Sequence, residues 1–214
     1  MQKALDVIKN CGIIPVIVLE DPAKAVPMAH ALAAGGIPCA EITFRTAEAA
    51  ESIRRIVQEV PELCVGAGTV VSVELAEKAA SAGAQFIVAP GFNPAVVDWC
   101  LQRDLTVIPG VNNPTGVESG MEKGLSLLKF FPASVSGGTG MLDALYGPYP
   151  SISFIPTGGI TLQNLADYLK RRNVFAVGGS WMVSKDLTSR GEWTQITTLA
   201  KEAVSIVRSL REKD

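Results

Sequence analysis

The sequence predicts an α/β protein that folds as a single domain over residues 1–214, a (β/α)8 TIM barrel with a long C-terminal helix. Eight short apolar runs recur at a nearly even spacing, as buried parallel strands do. Amphipathic segments separate the runs, with charged residues on one face and Ala, Leu, Ile or Val on the other. Eight such units, at about 25 residues each, make a barrel of nearly minimal size. An open doubly wound sheet also alternates strands with helices and stays an alternative.

The predicted elements follow from these two patterns in chain order. The strands occupy residues 13–19, 39–44, 63–68, 86–89, 106–110, 127–131, 153–157 and 174–178. The clearest helices occupy residues 47–60, 73–82, 94–103, 162–171 and 191–213. In the last of these, the apolar period turns one set of side chains inward: Trp193, Ile196, Leu199, Val204, Val207 and Leu210.

Composition and charge favour small-molecule partners. The chain has 19 basic and 21 acidic residues, interspersed, so it offers no basic stripe for nucleic acid and no polybasic anchor for a membrane. No apolar run reaches the roughly 18–20 residues that span a bilayer. Asp6 and Lys9 interrupt the N-terminal segment where a signal peptide needs an apolar stretch. We therefore expect a cytoplasmic protein.

Histidine and cysteine usage argues against metal chemistry. The single histidine, His30, excludes a multi-histidine metal site and lies in a helical pattern without a neighbouring acid. A Ser-His-Asp triad would have to use this residue. The four cysteines are isolated and form no CxxC pair, which indicates reduced packing residues: Cys11, Cys39, Cys64 and Cys100. Acid–base chemistry must then come from carboxylates, lysine or tyrosine.

Lys129 is the first candidate for chemistry. It lies in the run Leu-Leu-Lys-Phe-Phe-Pro at 127–132, where one amine stands among four large apolar side chains and a proline closes the segment. Burial disfavours the charged ammonium, and a neutral lysine amine attacks ketones to form a Schiff base. Alternatively, Lys129 ends a strand and extends its ammonium to water.

Other polar residues fall near the predicted strand C-termini, which form the active-site face of a barrel. Alternation with a period of two puts Glu41, Thr43 and Arg45 on one face of the second strand. Either Glu41 and Arg45 form a buried ion pair, or Glu41 is a general acid/base and Arg45 binds an anionic group. Thr69 offers a hydroxyl after the third strand, although the Gly-Ala-Gly segment before it also fits an ordinary turn.

Two glycine pairs follow the last two predicted strands. Gly158-Gly159 follow the seventh strand, and Gly178-Gly179-Ser180 follow the eighth and lead into a short helical turn at 180–183. Backbone N–H groups after the seventh and eighth strands of a barrel commonly bind phosphate. Either pair alone would be unremarkable, but together they predict a phosphate site.

These blocks resemble, nearly from end to end, the class I 2-keto-3-deoxy-6-phosphogluconate (KDPG) and 4-hydroxy-2-oxoglutarate (KHG) aldolases. The segments that carry the likeness are Ile-Pro-Val-Ile at 14–17, Glu-Ile-Thr-Phe-Arg-Thr at 41–46, Val-Gly-Ala-Gly-Thr-Val at 65–70, Ala-Pro-Gly at 89–91, Pro-Gly at 109–110, Leu-Lys-Phe-Phe-Pro-Ala at 128–133, Pro-Thr-Gly-Gly-Ile at 156–160 and Val-Gly-Gly-Ser-Trp at 177–181. The resemblance implies a (β/α)8 barrel, usually a homotrimer, that needs no metal and no cofactor.

The resemblance also implies roles and a reaction. Lys129 matches the Schiff-base lysine of the family, and Glu41 matches its proton-shuttling glutamate. The other matches are Arg45 and Thr69 at the substrate carboxylate, Gly158, Gly159, Gly179 and Ser180 at the phosphate, and Pro90 and Phe131 along the pocket. The implied reaction, of the Entner–Doudoroff type, cleaves KDPG to pyruvate and glyceraldehyde 3-phosphate.

Departures from the family pattern bear on the substrate. Asn112 and Asn113 stand where Ser and Thr are expected, and Ala40 and Phe44 replace aliphatic residues beside Glu41. Cleavage of KHG, which has no phosphate, or of the galactonate epimer of KDPG therefore remains an alternative. A sugar-phosphate isomerase or epimerase would keep the phosphate loops but have no use for a neutral Lys129, and a non-catalytic binding barrel is the third alternative.

Overall fold

Parallel strands alternate with helices throughout the structure, a computed structural model that describes residues 2–211. The strands are β1 (Ile13–Ile17), β2 (Cys39–Thr43), β3 (Cys64–Gly68), β4 (Phe86–Val88), β5 (Thr106–Ile108), β6 (Gly110–Val111), β7 (Leu127–Phe130), β8 (Ser153–Pro156) and β9 (Val177–Gly179). Each of the eight predicted runs overlaps a strand. The fifth run supplies both β5 and β6, because Pro109 between them has no N–H to donate to a ladder.

The helices fill the intervals between the strands. They are α1 (Gln2–Cys11), α2 (Ala25–Ala34), α3 (Ala49–Glu59), α4 (Val73–Ser81), α5 (Pro94–Leu101), α6 (Pro114–Glu122), α7 (Gly138–Tyr146), α8 (Leu165–Leu169), α9 (Lys185–Arg190) and α10 (Trp193–Arg211), with 3₁₀ turns at Pro22–Lys24 and Trp181–Val183. The turn at Trp181–Val183 confirms the predicted short helical turn. The first helix, α1, was not among the predicted helices.

Two predicted helices differ from the structure in length. The helix expected at 162–171 is only α8, because the side chain of Asn164 ties the preceding turn together: its Oδ1 accepts from Thr161 N at 2.8 Å, and its Nδ2 donates to Gly159 O at 3.0 Å. The last helix begins at Trp193, and residues 212 and 213 of its predicted span lie outside the described residues. Ile196, Val204 and Val207 are buried as predicted.

The strands form two parallel sheets in which neighbours in sequence are neighbours in space. One sheet has the order β5-β4-β3-β2-β1-β9, and the other has the order β6-β7-β8. The two are linked by Pro109 between β5 and β6, and isolated parallel bridges join Phe154 to Val174 and Thr157 to Gly178 at the other side. Doubly wound sheets reverse their strand order at a switch point inside the sheet. In the larger sheet here, the order descends from β5 to β1 and then passes to β9, the last strand.

The core lies between the strands and the surrounding helices. Every residue of β2 and β3 is buried, as expected for strands covered on both faces. The long α10 packs against α2 and α8.

All four cysteines are free and buried, and burial raises the pKa of the Cys64 and Cys100 thiols to about 11. These thiols are packing residues.

Two further findings concern residues 2–211. None of the helices there combines the length and apolar character needed to cross a bilayer. Within the same part of the chain, no group of three or more His, Cys, Asp or Glu side chains could hold a metal ion. His30 is exposed on α2, the helix on which the sequence placed it.

Candidate active site

A buried ion pair joins the two sheets. Lys129 on β7 and Glu41 on β2 belong to different sheets, and Lys129 Nζ lies 3.4 Å from Glu41 Oε1. The side chains are only 6% and 3% exposed. The amine therefore does not extend to water, so that alternative for Lys129 is wrong. The ion pair proposed between Glu41 and Arg45 is replaced by one between Glu41 and Lys129.

Glycine in β3 makes room for the Glu41 carboxylate. β2 and β3 are in parallel register, with Glu41 beside Gly66 and Thr43 beside Gly68. A Cβ atom at Gly68 would lie 2.0 Å from Glu41 Oε1, closer than any non-bonded contact allows. The carboxylate thus occupies space that only glycine leaves free, and the Gly-Ala-Gly segment has a purpose beyond forming a turn.

Lys129 is held by its strand and by an aromatic ring. Its backbone N–H donates to Pro109 O at 2.9 Å, and its register partner on β6 is Gly110. Its Nζ lies 5.2 Å from the centroid of the Phe131 ring, within the range of a cation–π contact. The amine therefore has two neighbours of opposite character, a carboxylate and an aromatic face.

Arg45 and Thr69 meet at the strand ends beyond the ion pair. Arg45 is exposed, and its Nε donates to Thr69 Oγ1 at 3.4 Å. Thr69 has a φ of +59°, a conformation that is costly for a β-branched residue. Such strained residues concentrate at functional sites, where the surrounding structure enforces them. The strain at Thr69 is consistent with the hydroxyl donor that the sequence offered there, for which an ordinary turn was the alternative.

The two glycine loops meet around one cavity of about 370 Å³. Its lining includes the predicted phosphate residues Gly158, Gly159, Gly179 and Ser180. Gly158 and Gly159 have φ values of +98° and +77°, which glycine adopts at no steric cost. A Cβ atom at Gly179 would lie 1.8 Å from the Trp181 ring. The glycines thus bring backbone close to the cavity where a larger residue would not fit.

Pro90 and Phe131 line one cavity together, and Phe131 also reaches the cavity of the glycine loops. Phe131 lines the 370 Å³ cavity and also a neighbouring cavity of about 700 Å³. Pro90 lines the larger cavity, together with Asn112 and Asn113.

Asn113 caps α6, with Oδ1 accepting from Gly116 N at 2.9 Å, so Asn serves there as Ser or Thr would. The departure at 113 is therefore conservative for the fold.

Sequence reasoning did not single out Lys185, which the structure places at the cavity of the glycine loops. Lys185 lines the 370 Å³ cavity, as does its neighbour Ser184. Ser184 Oγ accepts from Leu187 N at 3.4 Å and caps the start of α9. This cap fixes the backbone position of Lys185, the first residue of that helix. The sequence feature that could have indicated Lys185 is a basic residue a few positions after the Gly-Gly-Ser segment, at the start of the next helix.

The family model and the curated relatives that this chain matches point to one family. The family model for KDPG and KHG aldolase matches residues 5–199. The chain is 48% identical over 94% of its length to the 2-dehydro-3-deoxy-phosphogluconate aldolase of Treponema pallidum, covering 96% of that protein, and 42% identical over 97% of its length to the enzyme of that name from Haemophilus influenzae, covering 98%.

Comparison with solved structures points the same way. The KDPG aldolase of Legionella pneumophila, with pyruvate captured at low pH as a covalent carbinolamine intermediate, superposes with a TM-score of 0.91 at 36% identity, over 94% of this chain and 97% of that one. On the strength of the family match and of relatives above 40% identity, the chain belongs to the KDPG and KHG aldolase family.

Proposed function

We propose that the protein is a class I aldolase, an aldehyde-lyase that cleaves KDPG to pyruvate and glyceraldehyde 3-phosphate through a Schiff base on Lys129. The observation that carries the proposal is the buried Lys129–Glu41 pair at 3.4 Å, which puts an amine nucleophile beside a proton acceptor. The family and its relatives, including one structure with pyruvate bound covalently, support the same reaction.

Imine formation uses the two members of the pair in turn. Glu41 takes a proton from the Lys129 ammonium, and the free amine attacks the C2 ketone of the substrate. The resulting carbinolamine loses its hydroxyl as water when Glu41 returns a proton to it. The product is a protonated imine that links C2 of the substrate to Nζ of Lys129.

The imine then allows the carbon–carbon bond to break. Glu41, directly or through water, removes the proton of the C4 hydroxyl while the C3–C4 bonding electrons move into the imine. Glyceraldehyde 3-phosphate leaves, and an enamine of pyruvate remains on Lys129. Protonation of the enamine at C3 and attack of water at C2 then release pyruvate and the free lysine.

The two ends of the substrate have separate binding groups in this proposal. Arg45, with Thr69 beside it, binds the C1 carboxylate, because a guanidinium offers parallel donors that match a carboxylate. The glycine loops with Gly158, Gly159 and Gly179 present backbone N–H groups to the phosphate, and Ser180 adds a hydroxyl. Phe131 lies between the reacting amine and the phosphate cavity. The ligands in this proposal are small molecules, and it includes neither nucleic acid nor a membrane.

Borohydride reduction in the presence of pyruvate, followed by peptide mass mapping, tests the mechanism. A reduced pyruvyl adduct on Lys129 establishes the nucleophile and the enamine product together. If the folded protein forms no adduct in excess pyruvate, the proposal is overturned. The alternatives would then be a sugar-phosphate isomerase or epimerase and a non-catalytic binding barrel. Ligand binding that survives Lys129→Ala would identify the binding protein.

Substrate choice within the family needs its own measurement. KHG and the galactonate epimer of KDPG both yield pyruvate by the same imine chemistry, so trapping does not separate them. Comparing kcat/KM for KDPG, its C4 epimer and KHG does separate them. The cavity formed by both glycine loops favours a phosphorylated substrate over KHG.

The proposal includes a closed (β/α)8 barrel that forms one domain over residues 1–214 and assembles as a homotrimer. Consecutive strands are neighbours, and the Thr157–Gly178 bridge connects the end of β8 to β9, which supports closure. The trimer rests on the family resemblance. Sedimentation equilibrium should give the mass of three chains, and a monomer mass at micromolar concentration would refute the trimer.

A further inference from the structure

We propose that Lys185 is a specificity-determining residue that favours the phosphorylated substrate, with Glu20 holding its ammonium when the site is empty. The inference rests on the proposed function, because it concerns the phosphate end of the same site. It adds a mobile charge to a subsite otherwise built from backbone N–H groups and the Ser180 hydroxyl.

The position of Lys185 ties it to the phosphate cavity. The 3₁₀ turn Trp181–Val183 follows the glycine loop of β9, and its Met182 and Val183 side chains are buried, which anchors the turn. Ser184 then caps α9, and Lys185 is the first residue of that helix. The backbone at Lys185 is therefore fixed close to the Gly179–Ser180 loop, while its side chain is 67% exposed and free to change rotamer.

Lys185 also belongs to a second, smaller cavity. This cavity, of about 160 Å³, shares Val18 and Lys185 with the phosphate cavity, and its lining includes Glu20 and Asp21. Lys185 Nζ donates to Glu20 Oε1 at 2.7 Å. The ammonium thus lies on the acidic side of a boundary between two cavities, and its own side chain forms part of that boundary.

The charges make a transfer to substrate favourable. The residues that line the phosphate cavity include two cationic side chains, Arg45 and Lys185, and no carboxylate. Glu20 is 62% exposed, and an ion pair between two exposed side chains is weak. A phosphate monoester carries a charge of about −1.5 to −2 at pH 7 and offers three acceptor oxygens. Lys185 therefore gains more from the phosphate than it loses by leaving Glu20.

Two variants with a matched control test the inference. In Lys185→Met, KM for KDPG should rise about three- to fivefold, the size expected for one exposed charge pair, with kcat unchanged. KM for the same keto acid without its phosphate should stay unchanged in this variant. Glu20→Gln releases Lys185 from its partner, so it should lower KM for KDPG. Lys170→Met removes the same charge from an exposed position outside both cavities and should change neither KM.

The outcomes separate this inference from the function on which it rests. Wild-type cleavage of KDPG together with the pyruvyl adduct on Lys129 tests the aldolase alone. If that activity is present but Lys185→Met changes KM for both keto acids equally, or for neither, Lys185 does not select the phosphate. In addition, salt should raise KM for KDPG more in the wild type than in Lys185→Met, because salt screens the exposed charge. Equal salt dependence would also overturn the inference.

Discussion

The two ends of the site are built on different principles. The Lys129–Glu41 end lies on strands, is almost fully buried and depends on one close contact between two charged side chains. The proposed phosphate end lies on loops, is open to solvent and consists of glycine backbone with Ser180 and Lys185 beside the cavity. Electrostatic interactions are much stronger in the buried environment than in the exposed one.

This difference predicts how each end responds to mutation. Changes at the buried end should lower kcat, because they alter groups that act on the reacting atoms. Changes at the loop end should alter KM for the phosphorylated substrate and leave the chemistry intact. The predictions below test this division, and the largest effect comes first.

Lys129→Arg should abolish turnover. A guanidinium cannot form the imine, yet it keeps a positive charge facing Glu41. That charge matters for folding, because removing one member of a buried pair costs about 3–5 kcal/mol of stability. Activity on KDPG and borohydride trapping with pyruvate should both be lost while the thermal unfolding transition persists. Retained turnover in the folded variant would remove the entire mechanism.

Glu41→Gln should lower kcat by about 10²- to 10⁴-fold, the usual contribution of a general acid/base. The amide keeps the shape of the side chain but cannot carry protons between the intermediates. KM for KDPG should change little, because the Arg45 and glycine-loop contacts remain. A decrease of less than about tenfold would show that water or another group moves the protons.

Gly68→Ala should lower kcat by about 10²-fold through a displaced carboxylate, since a shift of 1 Å can cost that much. The new Cβ would lie 2.0 Å from Glu41 Oε1, so the Glu41 side chain has to leave its present position. Gly140→Ala is the matched control, because its Cβ in α7 would meet no atom within 4 Å. The control should keep full activity. Equal losses in both variants would mean that the effect is not specific to Glu41.

The sequence was most informative about the strands and their ends. Continuous apolar runs between amphipathic segments indicated all eight strand positions, because buried parallel strands are apolar on both faces. The same runs could not show that Pro109 divides the fifth strand, nor that Asn164 shortens α8, since both depend on backbone hydrogen bonds. Whether the two sheets close into a barrel depends on residues far apart in the chain, which local patterns do not report.

For the candidate site, the sequence suggested residues but could not predict all of their contacts. Alternation placed Glu41 and Arg45 on one face, which suggested that they pair with each other. The partner of Glu41 is instead Lys129, 88 positions away in sequence. Lys185 escaped notice because an exposed lysine at a helix start is ordinary until the cavity beside it is known.

Ser180→Asp tests the exposed end and should have the smallest effect of the four. The added carboxylate borders the cavity of the glycine loops and repels a phosphate, so KM for KDPG should rise by about fivefold or more with kcat unchanged. Ser180→Asn has nearly the shape of Asp without its charge and should show only a small change. Added salt should reduce the difference in KM between the two variants, because this end of the site is exposed to solvent.

Equal KM values for the Asp and Asn variants would assign the effect to the shape of the side chain and not to its charge. An unchanged KM in the Asp variant would place the phosphate elsewhere, and a fall in kcat would show that the two ends of the site do not act separately.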